Sequence, residues 1–126
     1  MSEPSPGDYP KLAGCGILVV EDEALIVAVI EEMLIDLGCG TVWTAATTDQ
    51  ASTILRDHRP HAAILDVNLG GESGYRLAQV LADSQIPFVF ATGYGRRGLA
   101  EQWATRPVIQ KPFKLDTLAA VLSALL

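Results

Sequence analysis

Ile17-Leu18-Val19-Val20-Glu21-Asp22-Glu23 decides how the rest of the chain is read. Four apolar residues, rich in branched side chains, run without a polar break, as in a strand covered on both faces. Three acids end it abruptly, and a helix begins near Ala24. Leu25, Val29, Met33 and Leu37 recur at four-residue steps with Glu31, Glu32 and Asp36 opposite, so those four predict its inward face. Gly38 and Gly40 end this helix. Outward from here the alternation repeats. Residues 41–44 predict a second strand. Thr47 or Thr48 caps a helix carrying Ala51, Ile54 and Leu55, which Pro60 stops. Residues 62–65 are a third apolar strand, ending at Asp66. A Gly-rich turn follows, then a helix over about 74–83 with Leu77, Val80 and Leu81 inward. Residues 88–91 predict the fourth strand, ending at Thr92, and residues 108–110 the fifth, ending at Lys111. A last helix covers 115–126. Between strands four and five, Gly93, Gly95 and Gly98 with Arg96 and Arg97 make a poor helix start, so any fourth helix there is short or mobile. The alternation implies an α/β fold, a doubly wound five-stranded parallel sheet with helices on both faces.

The 126 residues suit one compact domain with a real core, and 49% hydrophobic with 19% charged residues is globular composition. Fifteen acidic against nine basic residues, a formal net charge of -6, argue against nonspecific DNA binding. Residues 1–13 hold Pro4, Pro6 and Pro10 among Ser, Glu and Gly and predict a disordered or loosely docked arm before a folded domain over 14–126. Cys15 and Cys39, with His58 and His61, match no zinc spacing. They read as two buried reduced thiols, which points to the cytoplasm. Met1 to Pro10 lacks the apolar region of a signal peptide, and no apolar run is long enough to span a bilayer, so a soluble protein is expected.

In doubly wound folds ligands bind outside the carboxyl ends of the strands. Those ends supply Glu21 and Asp22, Asp66, Thr92 and Lys111. Crowded carboxylates repel one another unless a proton or a cation intervenes. An all-oxygen cluster suits a hard ion, and Mg2+ is the natural candidate. Lys111 and Thr92 add a positive charge and a hydrogen-bond donor, which phosphoryl oxygens need. One carboxylate remains to attack phosphorus.

Four segments, Ile17-Leu-Val-Val-Glu-Asp-Glu, Ala63-Ile-Leu-Asp-Val-Asn-Leu-Gly-Gly-Glu-Ser-Gly, Phe90-Ala-Thr-Gly-Tyr and Ile109-Gln-Lys-Pro-Phe, resemble the signature segments of response-regulator receiver domains. Each is weak alone, but four in order, each at a strand end, are specific, and the resemblance covers residues 16–126. It implies a flavodoxin-like sheet of strand order 2-1-3-4-5. It implies Asp66 as phospho-acceptor, Asp22 as a direct Mg2+ ligand, Glu21 as a second acid acting through water, and the Asn68 backbone carbonyl as a further ligand. Thr92 and Lys111 would hold the phosphoryl group, and Pro112 would follow a cis bond that aims the lysine. Such a chain is a signalling domain rather than an enzyme, although it assists its own phosphorylation and dephosphorylation. Its implied partners are a histidine kinase or a histidine phosphotransfer protein and a downstream protein, not nucleic acid or membrane. It is expected to be a monomer or weak dimer. The run from Phe90 to Gly95, preceded by Pro87-Phe88, looks like the FATGUY subgroup of receivers, associated with general stress signalling in alphaproteobacteria and often stand-alone.

Two positions depart from the family. Val108 stands where most receivers carry the aromatic switch residue, leaving Tyr94, or ordering of loop 93–105, as the replacement candidates. Gly70 stands where many members have proline. Other readings fit less well. Residues 93–98 match a GxGxxG pattern but follow the fourth strand, where a dinucleotide site would use the first. Asp66-Val67-Asn68 lacks the second aspartate of haloacid-dehalogenase-type phosphatases. Trp43 and Trp103 read as packing residues. The main competing class is a receiver-like adaptor that binds partners without phosphorylation.

Overall fold

The first apolar run is an inner strand of the sheet, paired on both sides. A computed structural model describes residues 8–126. The elements are β1 (Gly16–Val20), α1 (Ala24–Asp36), β2 (Thr41–Ala45), α2 (Thr48–Asp57), β3 (Ala62–Asp66), β4 (Asn68–Leu69), β5 (Glu72–Ser73), α3 (Tyr75–Asp83), β6 (Phe88–Thr92), β7 (Val108–Gln110) and α4 (Leu115–Leu125). Five strands pair in parallel in the order β2-β1-β3-β6-β7. This is the expected 2-1-3-4-5 topology, with β4 and β5 set apart as a two-residue antiparallel hairpin. Every residue of β1, β3 and β6 is buried, because helices cover both faces.

Alternating side chains on each strand separate two cores. Ile17, Val19, Ile64 and Val89 pack with α1 and α4 through Ile30, Leu34, Leu118 and Leu122. Leu18, Val20, Leu65 and Phe90 pack with α3 through Leu77 and Leu81. The inward face expected for α1 is corrected in its first half. Leu37 is buried and Met33 packs against the core, as expected, but Leu25 and Val29 are exposed, at 84% and 51%, and Ile30 and Leu34 are buried in their place. The run Ala24 to Ile30 is apolar all round, so its periodicity does not single out a face. Contact with the sheet selects the stripe through Ile30 and Leu34. On α3, Val80 is likewise exposed and Ala78 takes the inward place beside Leu77 and Leu81.

No α-helix lies between β6 and β7 among the described residues; two short 3-10 turns, Gly95–Gly98 and Glu101–Trp103, replace it. Trp103 is buried against Phe88, Phe90 and Tyr75, stacked on the last with ring centroids 6.3 Å apart. Arg106 lies over the Phe88 and Trp103 rings. Trp43 stacks, tilted, on His58. Both tryptophans are therefore packing residues.

Most of the expected N-terminal arm, residues 1–7, lies outside the described residues. Its end is docked: Pro10–Leu12 forms a 3-10 turn and Leu12 is fully buried in the core. That places the start of the folded unit ahead of residue 14. Cys15 and Cys39 are free and buried. Burial, with the neighbouring Cys15, pushes the Cys39 thiol up to about 11, so it is inert as a nucleophile near neutral pH.

Candidate functional site

Parallel strands bring their carboxyl ends to one edge, and each expected side chain sits there. The main-chain N–H of Lys111 donates to the Thr92 carbonyl at 2.8 Å, holding the ends of β6 and β7 together. The Lys111 ammonium donates to Glu21 Oε1 at 2.7 Å and Asp66 Oδ2 at 3.0 Å. Asp66 Oδ1 accepts from the Asn68 N–H at 3.0 Å. Glu21 Oε2 accepts from the Glu23 N–H at 3.2 Å. Glu21, Asp66 and Thr92 are buried, whereas Asp22 is exposed. Thr92 Oγ1 accepts from the Tyr94 N–H at 3.1 Å, and the Tyr94 ring is exposed. The Lys111-Pro112 peptide is cis. An open cavity of about 540 Å³ joins Asp22, Asp66, Asn68, Thr92, Tyr94 and Lys111.

Electrostatics follow from this geometry. Burial opposes the charge on Lys111, but hydrogen bonds and attraction from Glu21 and Asp66 outweigh it and push the ammonium above its ordinary range. The lysine therefore stays charged throughout neutral pH. One oxygen from each of Glu21, Asp22 and Asp66 lies within 4.8 Å of the others. Three carboxylates against one ammonium leave an excess of two negative charges. That all-oxygen set fits a divalent hard cation. Asp22 has no hydrogen bond or ion pair among the described residues and is available for direct coordination.

Three contributors had no role assigned from the sequence. A Cβ on Gly74 would lie 2.3 Å from the Asp66 carbonyl oxygen, so the start of α3 can only pack against the end of β3 as glycine. A Cβ on Gly70 would lie 3.1 Å from Asp22 Oδ2, a milder approach to the end of a side chain. Glu72 Oε1 accepts from the Thr48 N–H at 3.1 Å, tying the hairpin to the first turn of α2. Only the glycine richness of 70–74 signals the first two. Nothing local signals the third.

A doubly wound sheet with an acid–hydroxyl–lysine cluster at its carboxyl edge defines a class of signalling domain. The family model described as "Response regulator receiver domain" matches residues 17–123, and the chain belongs to that family. It is 31% identical over 106 residues, 81% of this chain and 52% of the relative, to the transcriptional regulatory protein PdtaR of Mycobacterium tuberculosis. The chain spans about half the length of the curated relatives it matches. Among solved structures it is similar to SdrG from Sphingomonas melonis Fr1, with TM-score 0.77 and 41% identity over 99% of this chain and 98% of that one. A BeF3-activated conformation of SdrG matches at 43% identity and TM-score 0.77, covering 90% of this chain and 98% of that one. The PhyR stress response regulator matches at 27% identity and TM-score 0.75, covering 94% of this chain and 49% of that one. No helix among the described residues is long and apolar enough to cross a membrane.

Proposed function

We propose that this receiver domain is a phosphorelay switch in which Asp66 accepts a phosphoryl group from a phosphohistidine of a histidine kinase or histidine phosphotransfer protein. The observation that carries the reading is the single ammonium of Lys111 set between Asp66 and Glu21, at the edge where Thr92 also lies. Asp22, Asp66 and the Asn68 carbonyl would hold Mg2+, with Glu21 acting through water. Bound Mg2+ supplies charge neutralisation on the phosphoryl oxygens. The Asp66 carboxylate attacks phosphorus; a P–O bond forms as the P–N bond breaks, and the imidazole leaves with the bonding pair. Lys111 turns from Asp66 to a phosphoryl oxygen, and the Thr92 hydroxyl donates to another. The acyl phosphate is later lost to water or to a phosphotransfer histidine.

Output runs through protein contact. Thr92 drawn towards the phosphoryl group loosens its bond from Tyr94 and reorganises loop 93–105. An apolar groove of about 410 Å³, with Leu25, Val29, Pro112 and Phe113 on its walls, adjoins the site and suits a protein partner. The run from Phe90 to Tyr94 and the likeness to the PhyR stress response regulator support a place in general stress signalling.

Beryllofluoride with Mg2+ tests the reading in amide NMR spectra. Shifts at residues 21–22, 66–68, 92–95 and 111, absent in Asp66→Asn, are the expected result. An unchanged wild-type spectrum overturns it in favour of the non-phosphorylated adaptor.

A further inference from the structure

Asp22, which makes no hydrogen bond among the described residues, lies beside the hairpin that follows Asp66. Gly70 and Gly71 both have positive φ, +58° and +91°, between the paired residues Leu69 and Glu72. This is the tight two-residue connection that matches the twist of the strands it joins. A Cβ built on Gly70 would lie 3.1 Å from Asp22 Oδ2, inside comfortable contact. One built on Gly71 meets nothing within 4 Å. The hairpin is fixed at several points. Leu69 is buried in the core, the Asn68 N–H is bonded to Asp66, the Gly74 N–H donates to the Val67 carbonyl at 2.8 Å, and Glu72 accepts from Thr48 at the start of α2. Asp22, in contrast, is exposed and unbonded among the described residues.

We infer that the β4–β5 hairpin is a positioning element for the metal site. Gly70 leaves the space in which the Asp22 carboxylate sits, and Glu72 anchors the hairpin that confines it. A side chain at 70 would be accommodated by the part that moves most cheaply, which is the exposed Asp22 carboxylate giving way by a few tenths of an ångström and losing its set position in the cluster. The cost then falls on cation affinity rather than on the fold. The two glycines separate this contact from backbone strain. Either alanine substitution forces a side chain onto a left-handed residue, but only the one at 70 meets Asp22. The inference rests on the Mg2+ reading above.

The test is calorimetric and amide-NMR titration of MgCl2 into metal-free protein: wild type, Gly70→Ala, Gly71→Ala, Glu72→Ala and Glu72→Gln. Gly70→Ala should weaken Mg2+ binding by about tenfold, the lower range for loss of a group that orients a metal ligand. Gly71→Ala should bind like wild type although it loses a similar amount of thermal stability. Glu72→Ala should weaken binding, and Glu72→Gln, which keeps an acceptor for Thr48, should restore it. If Gly70→Ala does not fold, Gly70→Asn replaces it, because asparagine tolerates the left-handed conformation. Wild-type affinity in the residue-70 variant, or equal losses at 70 and 71, overturns the positioning role alone. No Mg2+ binding by wild type overturns the metal-site reading and the inference with it.

Discussion

Replacing Lys111 with methionine leaves Glu21 and Asp66 buried beside each other with no compensating charge. The ammonium is 2.7 Å from one and 3.0 Å from the other, and their side chains are 2% and 8% exposed. At an effective dielectric near 20, each pair attracts by roughly 5–6 kcal/mol before desolvation is counted. Desolvation of all three groups takes back most of that, so the useful comparison is with buried pairs broken from one side, which lose about 3–5 kcal/mol. The Lys111 head is partly wet at 17% exposure, so the low end, about 3 kcal/mol, is expected. The response to Mg2+ gives a sharper signature. A divalent cation supplies the charge the lysine no longer does, so chelator and Mg2+ separate the two proteins. Urea unfolding at pH 7.5 in chelator and in Mg2+ measures both effects. The variant should lose about 3 kcal/mol in chelator, and Mg2+ should restore more stability to it than to wild type. A loss below about 0.5 kcal/mol, the size of an ordinary surface change, or equal gains from Mg2+ in the two proteins, would refute the account of this cluster.

Three further outcomes follow from the geometry. Leu34→Ala should cost about 2–5 kcal/mol in urea unfolding, while Leu25→Ser, on the exposed stripe of α1, should stay within about 0.5 kcal/mol; the reverse order would restore the face read from periodicity. Gly74→Ala puts a Cβ against the backbone of the acceptor residue, so it should lower the melting temperature and shift the Asp66 and Asn68 amides together; shifts confined to α3 would contradict the close approach. Hydrogen bonding from Thr48 holds the Glu72 carboxyl below its ordinary value of 4.5. Its contribution is therefore complete above that value and lost as pH falls through the lower folded value. Carbon-13 titration of Glu72 should show a depressed midpoint, which returns towards 4.5 when Thr48 is replaced by proline.

What the sequence disclosed depended on burial from both sides. The runs in β1, β3 and β6 announce themselves because helices cover both faces, so no polar residue interrupts them. The site followed from them, since parallel strands of known order place Glu21, Asp22, Asp66, Thr92 and Lys111 on one edge without further information. The same apolar richness hid the orientation of α1, where Leu25 and Val29 compete with Ile30 and Leu34 for the inward face and only the sheet decides. The glycines after β6 correctly discouraged a helix, but the burial of Trp103 beneath Tyr75 is a tertiary event. So is the bond between Glu72 and Thr48, 24 residues apart, which no local pattern encodes.

The central claim is the acceptor role of Asp66, and intact mass after incubation with acetyl phosphate and Mg2+ tests it most directly. The account predicts one added phosphoryl group on wild type, lost in Asp66→Asn and in EDTA. An adduct that persists in Asp66→Asn, or one that forms equally well in EDTA, would contradict it.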